Sequence, residues 1–389
     1  MSSKKSVTKR IGLLTAGSDA PGLNAAIRAI GKAAGSYGMS LVSFQDGFRG
    51  LIADQVVEPS FSGILTAGGT ILGTSREALS WNAPVQSSAG GDETPDSSAP
   101  LPKDRGEAAA AVYHHHHLDA LVCIGGRETM ENAHRLMEMG LNVLTLPKGI
   151  DNDLTMTDAT IGFDTAMSTA TEAIDRLHST AHSHHRIIIV EIMGRNTGWL
   201  TLGSGLAGGA DVIIIPEIPY DIQKITAAIL ERNNSGRRFS IVAVSEGGIS
   251  KDTVEFFNRS KHINQMTHNG SEQESIEQEL VKIEGQLTGN TIYLANRLGK
   301  FTGLETRITI LGHLLRGGTP SASDRVLGTN LGTACVKLID QGTSGVMVAI
   351  HDSDVVTVPL QEVTVKHKTV PLNHPWIESA RRVGTSLGD

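Results

Sequence analysis

One pattern constrains the fold of this chain more than any other. Strand-like apolar runs end, again and again, in glycine-bearing loops that carry a charged residue: Asp19, Arg76, Arg127, Asp151, Arg195, Glu246 and Arg316. The clearest runs are Ile11–Thr15, Leu118–Ile124, Val143–Leu146, Arg186–Ile192, Asp211–Pro216, Phe239–Val244 and Arg307–Leu311. Helical stretches lie between several of them, around Ala108–Tyr113, up to Met139, over Ala166–His182 and over Asp324–Ile339. Val346–Ile350 and Val355–Val358 read as a closing hairpin, and Phe44–Leu51 as a strand end and turn. Strands alternating with helices imply βα units and parallel sheets, so the expected class is α/β. In an open α/β sheet the C-terminal ends of the strands face one ligand crevice. No repeat of solenoid period competes with this reading.

Bulk properties remove other classes. With 389 residues the chain buries a large core, in roughly two domains of ordinary size. A net charge of -7 argues against a nucleic-acid or membrane-surface role, since either needs a basic face. Any bound phosphate then needs a local basic pocket. Cys123 and Cys335 sit in apolar contexts and read as reduced core residues rather than a disulfide. The basic tail ahead of Ile11 lacks the apolar core of a signal peptide, and no run reaches transmembrane length. A cytoplasmic location is expected.

The loop after Val143–Leu146 is the densest in chemistry: Pro147-Lys148-Gly149-Ile150-Asp151-Asn152-Asp153. Asp151 and Asp153 are two apart, so in an extended loop both carboxylates face one side. That pairing suits proton abstraction and placement of a metal-bound phosphate. Taken alone, the triplet is more often an Asx-capped turn. The loop Gly17-Ser18-Asp19 opens a helix, where backbone N–H groups make an anion site. The bland alternative there is a tight βα turn. Gly68–Arg76 is a second glycine loop with one cation. Trp81–Gly106, rich in Ser, Pro, Gly and Asp, reads as an exposed, mobile insertion. Lys251–Thr288 is polar, with helix expected in its second half. The run His114–His117 reads as a solvated helix end, because no spaced partner ligand accompanies it. Several cations and a few carboxylates on strand-end loops describe a site for phosphorylated ligands.

The segments Gly17–Arg28, Gly68–Arg76, Ile150–Asp153, Gly162–Thr165, Met193–Arg195, Glu246–Gly247 and Gly312–Asp324 together resemble the 6-phosphofructokinase (phosphofructokinase A) family over nearly the whole chain. The resemblance implies two similar αβα domains with mainly parallel sheets and an active site in the cleft between them. It implies a donor domain over 10–150, with the insertion at 81–106, and a sugar-phosphate domain over 151–340. A C-terminal segment over 341–389 would pack back on both. It implies that Asp151 takes the proton from the 1-hydroxyl of fructose 6-phosphate, with Lys148 and Glu128 completing the catalytic group. Gly149, Ile150 and Asp151 would line the sugar phosphate, with Met193, Gly194, Arg195 and Glu246 on the sugar. Arg186, Arg307, His313 and Arg316 would hold the 6-phosphate. Arg186 and Arg307 would reach in from an adjacent subunit, implying a homodimer or homotetramer. Gly17, Ser18, Arg76, Gly125, Gly126 and Arg127 would hold the donor. Arginine suits phosphate because its planar fork pairs two oxygens at once.

Departures from the family pattern bear on mechanism. Ser18 replaces a glycine of the first phosphate loop, and Gly149 stands where the family usually has threonine. The family's Gly-Gly-Asp-Gly loop is here Gly125-Gly126-Arg127-Glu128. Its aspartate is an Mg²⁺ ligand, and arginine has no acceptor atom. Asp153 is left as the candidate metal ligand, with Mg²⁺ binding weakened. Glu128 stands where pyrophosphate-dependent members carry Asp and ATP-dependent members carry Gly. Lys148 also matches the pyrophosphate-type pattern. The expected donor is therefore pyrophosphate; the alternatives are ATP, or a catalytically weakened sugar-phosphate-binding regulatory subunit.

Overall fold

The computed structural model describes residues 9–79, 105–255, 290–363 and 367–389. The expected insertion at Trp81–Gly106 lies outside the described residues, except that Arg105 and Gly106 open a helix. The helix expected late in Lys251–Thr288 also lies outside them. No helix of the described residues is long and apolar enough to cross a membrane.

The chain forms two compact units. The first comprises Met1–Gly149, Leu154–Thr165 and Arg316–Lys366. Its first half runs β1 (Arg10–Thr15), α1 (Leu23–Ser36), β2 (Ser40–Phe44), α2 (Phe48–Ile52), β3 (Val56–Val57), α3 (Arg105–His115), β4 (Ala120–Gly125), α4 (Arg127–Glu138) and β5 (Val143–Pro147). Helix α5 (Phe163–His184) starts in this unit and continues into the second. The second unit holds β6 (Ile187–Ile192), α6 (Trp199–Ala207), β7 (Val212–Ile214), α7 (Ile222–Asn234), β8 (Ser240–Ser245), α8 (Asn290–Thr302) and β9 (Thr306–Ile310). The chain then returns to the first unit through α9 (Ala322–Asp340), β10 (Val346–His351), β11 (Asp354–Pro359) and α10 (Leu360–Val363). It ends in the second with α11 (Pro375–Arg382).

The first unit carries a seven-stranded sheet ordered β11-β10-β5-β4-β1-β2-β3. The pairs from β10 to β2 are parallel, and only the edge pairs β2–β3 and β10–β11 are antiparallel. Leu13 of β1 lies beside Val122 of β4, and Val122 beside Leu144 of β5. Parallel strands are covered on both faces, which is why β4 reads as an unbroken apolar run and is buried at every position. One core layer gathers Phe44, Phe48, Leu121, Met130 and Leu136, and another gathers Ile11, Ile27, Val122, Leu331 and Val336. The second unit has an all-parallel sheet, β7-β8-β6-β9, over a core of Ile187, Ile189, Val212, Ile225, Val242 and Leu298. The α/β class with mainly parallel sheets holds.

Three local readings change. Phe44–Leu51 contains a helix: Phe48 and Leu51, three apart, both turn fully into the core. Helices α6 and α7 fill the crossovers around β7, where the sequence reading placed no helix. The unit boundaries also differ from a division at 150 and 340. Arg316–Lys366 folds with the first unit, because Leu331 and Cys335 of α9 share a core with Ile27 of α1 and β10 pairs with β5. His367–Asp389 folds with the second, where Ser386 bridges to Val212. Both cysteines are buried and free, and burial pushes both thiols up.

Candidate active site

In the first unit the strand ends bring five loops together, and a lattice of hydrogen bonds fixes them. Gly17 N donates to Ser75 O at 2.9 Å, and Thr74 Oγ1 donates to Gly17 O at 2.6 Å. These bonds join the first glycine loop to the second. Thr15 Oγ1 donates to Gly73 O at 2.7 Å. Asn24, buried in α1, donates to Ala67 O and Gly68 O and accepts from Ile71 N at 2.9 Å. A Cβ on Gly68 would lie 2.3 Å from Gly318 O, so the loop after β9 passes too closely for any side chain there. Sequence reading missed Asn24 and Thr15. A buried asparagine inside an otherwise apolar helix was the available signal, since Asn is a poor helix former without a local task.

The cations are placed on this framework. Lys148 is 3% exposed, and its Nζ donates to Ser18 O, which anchors the lysine under the first glycine loop. Arg76 Nη2 donates to Ser18 Oγ at 2.7 Å, so the first glycine loop orients the cation of the second. Arg316 Nη1 donates to Asp19 O at 3.2 Å. Arg127 begins α4 and pairs through Nε with Glu131 Oε1 at 3.0 Å, one turn along. Gly126 precedes it as the N-cap, and Lys148 N donates to Gly125 O at 2.9 Å. Glu128 lies in the first turn of α4 and is exposed. Free N–H groups and cations around glycine loops favour a polyanion.

Gly149 also belongs here: its N donates to Ile161 O at 3.1 Å, and Thr160 Oγ1 donates to Gly149 O at 2.5 Å. The second unit begins with Ile150, which is fully buried, and Asp151–Asp153. Asn152 has φ 50°, a left-handed residue that Asn adopts readily. The loop is therefore a turn and not extended, and the period-of-two argument for Asp151 and Asp153 does not apply to it. Asp151 O accepts from Thr197 Oγ1 at 3.2 Å. Asp153 Oδ2 lies 3.6 Å from His367 Nδ1, and Asp153 O accepts from Lys368 N at 2.9 Å.

Two further loops of this unit meet at the ends of β6 and β8, where Ile192 lies beside Ser245. Glu246 N donates to Ile192 O at 2.9 Å, Gly247 N to Gly194 O at 3.0 Å and Ser245 Oγ to Gly194 O at 2.5 Å. Met193, Gly194, Arg195 and Glu246 thus form one patch. Gly194 has φ 145°, and a Cβ there would lie 2.6 Å from Ser245 Oγ and 2.7 Å from Thr197 O. His313, exposed, follows β9 at the same end of the sheet.

Arg186 and Arg307 are elsewhere. Arg186 precedes β6, and Arg307 pairs in register with Ile188. Met193 lies five residue steps beyond Ile188, roughly 16 Å at the usual rise. Both arginines engage Glu305, Arg186 Nη2 at 3.1 Å from Oε2 and Arg307 through Oε1. A single second unit therefore does not gather them with Arg195 and Glu246. Within each unit the strand-end loops gather at the end of that unit's own sheet.

The sequence model of the family described as Phosphofructokinase matches residues 10–339. An "ATP-dependent 6-phosphofructokinase" of Propionibacterium freudenreichii is 48% identical over 98% of this chain and 100% of its own length. One of Spirochaeta thermophila is 45% identical, covering 99% of each chain. Among solved structures, the phosphofructokinase of Pichia pastoris superimposes with a TM-score of 0.72 at 29% identity. That match covers 94% of this chain and only 36% of the longer Pichia chain. A pyrophosphate-dependent phosphofructokinase from Marinobacter aquaeolei shares the fold, with a TM-score of 0.73 at 18% identity over 97% of this chain and 88% of its own. Matched along most of its length by the family's sequence model, and over nearly its whole length by relatives named 6-phosphofructokinases, the chain belongs to the phosphofructokinase family of phosphotransferases.

Proposed function

We propose that the chain transfers the terminal phosphoryl group of ATP to the 1-hydroxyl of fructose 6-phosphate, giving fructose 1,6-bisphosphate. The observation that carries the donor assignment is the pair of full-length relatives, 48% and 45% identical, both named ATP-dependent. This replaces pyrophosphate, the donor expected from Glu128 and Lys148. The relative named pyrophosphate-dependent is only 18% identical and speaks for the fold alone. The physical case for pyrophosphate also weakens. It required the Glu128 carboxylate to fill the space of the nucleotide's α-phosphate, yet Glu128 is exposed and can swing into solvent. Lys148, tied beneath the first loop through Ser18 O, supplies positive charge to either donor.

In this reading Gly17, Ser18, Arg76, Gly125, Gly126 and Arg127 receive the donor's phosphates. Asp151 is the general base toward the sugar hydroxyl, with Met193, Gly194, Arg195 and Glu246 positioning the sugar. His313 and Arg316 contribute to holding the 6-phosphate, with Arg186 and Arg307 donated across a subunit interface. Mg²⁺ in phosphoryl-transfer enzymes is usually held by one or two carboxylates together with substrate phosphates. The partly exposed Asp153 carboxylate fits that mode, while Arg127 offers no acceptor. When bound, the ion neutralises charge on the transferring phosphates.

The test is steady-state turnover of fructose 6-phosphate with ATP and with pyrophosphate, each across an Mg²⁺ titration. The reading requires the larger kcat/KM with ATP. A clear preference for pyrophosphate overturns the donor; no turnover with either returns the weakened, regulatory alternative.

A further inference from the structure

We infer that Asp54, His115 and His116 form a binding site for a divalent transition-metal ion of the zinc type. The four consecutive histidines lacked a partner ligand in the sequence, and the fold supplies one. Asp54 follows α2, in a turn with φ 54°, and meets the C-terminal end of α3 across 62 residues of chain. His116 Nε2 contacts Asp54 Oδ1, and His115 Nε2 lies 4.0 Å from Asp54 Oδ2. One ligand atom from each residue falls within 4.8 Å of the other two.

The chemistry of the set is specific. Two imidazoles and one carboxylate suit Zn²⁺ and its neighbours rather than Mg²⁺ or Ca²⁺, which prefer oxygen. Bonds of about 2.0–2.2 Å in a tetrahedron separate ligand atoms by roughly 3.3 Å. His116 needs only to draw back from its direct contact with Asp54 Oδ1 to admit an ion. Its side chain is only 16% exposed and stands edge-on to Phe44, with ring centroids 5.9 Å apart. His115 is 71% exposed and free to swing the short remaining distance. Water would fill the fourth position. His114 stands edge-on to Tyr113, and His117, with φ 50°, turns the chain out of the helix; neither belongs to the cluster.

One other such cluster occurs among the described residues, Asp158, His351 and Asp352. There Asp158 Oδ2 is tied to the backbone Asp352 N at 2.7 Å, beside Oδ1 on His351 Nδ1 at 3.0 Å, so it reads as a hydrogen-bonded turn, whereas the contacts of the Asp54 carboxylate are to the two histidines themselves. At the Asp54 site an ion would take the place of the direct His116–Asp54 contact and would tie α2 to α3. Nothing in phosphoryl transfer requires it, and none of its three residues is among those assigned to the donor or the sugar.

The experiment uses the untagged full-length chain, stripped with a chelator. Zn²⁺ is titrated against a chromophoric competitor, and Co²⁺ is added as a reporter of coordination geometry. Wild type should bind one tight equivalent, show the intense visible bands of low-coordinate Co²⁺, and melt at a higher temperature with Zn²⁺. Asp54→Asn and His116→Ala should each weaken that equivalent by at least ~10-fold, the smaller end of what even outer-shell losses cost. His114→Ala and His117→Ala should leave it unchanged. Asp54 is exposed, so its variant tests the site even if His116→Ala fails to fold. Wild-type affinity in Asp54→Asn, or equal losses in His114→Ala and His117→Ala, would mean that the histidine run alone captures metal, and overturns the site.

Discussion

Asp324, in the first turn of α9, caps the start of α5 by holding Thr165 twice. Its carboxylate accepts from Thr165 N at 2.8 Å and from Thr165 Oγ1, and also from Gly162 N at 2.8 Å. Ser321 completes the knot, with its N donating to Thr165 Oγ1 at 2.9 Å and its Oγ to Asp164 Oδ2 at 2.6 Å. Two sequence motifs some 160 residues apart, Gly162–Thr165 and Ser321–Asp324, are therefore one buried structure.

Asp324→Ala should cost on the order of 3 kcal/mol, because three donors lose a charged acceptor in a site only 1% exposed. The pH dependence has a defined sign. Burial pushes the Asp324 carboxyl up from 3.8, against hydrogen bonds from Thr165 and Gly162 that pull it down. A carboxyl raised in the folded state binds its proton more tightly there. Its favourable contribution is complete below 3.8 and is lost as pH rises through the folded value. The stability advantage of wild type over Asp324→Asn should thus widen as pH is lowered from neutrality toward 3.8. Urea melts of both proteins across that range decide it, and a constant difference would refute the buried titration.

Asp151→Asn should lower kcat by the ~10²–10⁴-fold typical of a positioned base, with little change in the KM for fructose 6-phosphate. The amide keeps the shape and removes the proton acceptor. Near-normal turnover would remove Asp151 from that role.

Gly194→Ala should disturb the Met193–Arg195 and Glu246 patch directly. Its φ of 145° is closed to side-chain-bearing residues, and its Cβ would meet Ser245 Oγ and Thr197 O. Such strain costs on the order of 1–3 kcal/mol. The chain must shift where Gly247 N and Ser245 Oγ bond Gly194 O. We expect a higher KM for fructose 6-phosphate than for the donor, read from initial rates; equal effects on both would place the patch outside the sugar site.

If ATP is the donor and Glu128 stays in solvent, Glu128→Gly should change kcat/KM for ATP by no more than about threefold, within ~0.7 kcal/mol. A large gain in ATP use would show the carboxylate intruding on the nucleotide after all.

Much of the architecture was legible because parallel strands are buried on both faces. Ile187–Ile192 and Ala120–Gly125 are apolar almost throughout, and Gly follows or ends them. The short helix at Phe48 was hidden because five residues carry too little periodicity to separate from a turn. Helix α6 was hidden for the opposite reason. Trp199–Ala207 is apolar almost all round and mostly buried, so it shows no polar stripe. In the site, residue types were readable and pairings were not. Nothing local in the sequence says that Lys148 reaches Ser18 O, that Asn152 takes φ 50°, or that Asp54 meets His116. Those are long-range or conformational facts, set by how the sheet orders its strands.

Arg186 and Arg307 supply the last prediction. They stand near the N-terminal ends of β6 and β9, whereas Arg195, Glu246 and His313 stand past the C-terminal ends of β6, β8 and β9. A side chain of arginine length does not span the roughly 16 Å between. Arg307 is 61% exposed at its side chain, on the edge strand β9, and shares Glu305 with Arg186. An exposed Arg307 and a half-buried Arg186 sharing one carboxylate, away from the Arg195 and Glu246 patch of their own chain, would suit a neighbouring copy's phosphate. Arg307→Ala should therefore raise the KM for fructose 6-phosphate more than that for ATP. Mixing it with an inactive Asp151→Asn chain should restore part of the lost affinity, because a mixed oligomer contains sites with an intact base and an intact partner arginine. Sedimentation of wild type at assay concentration should show no active monomer. Full activity in a monomeric species, or no complementation between the two variants, would put both arginines outside the site.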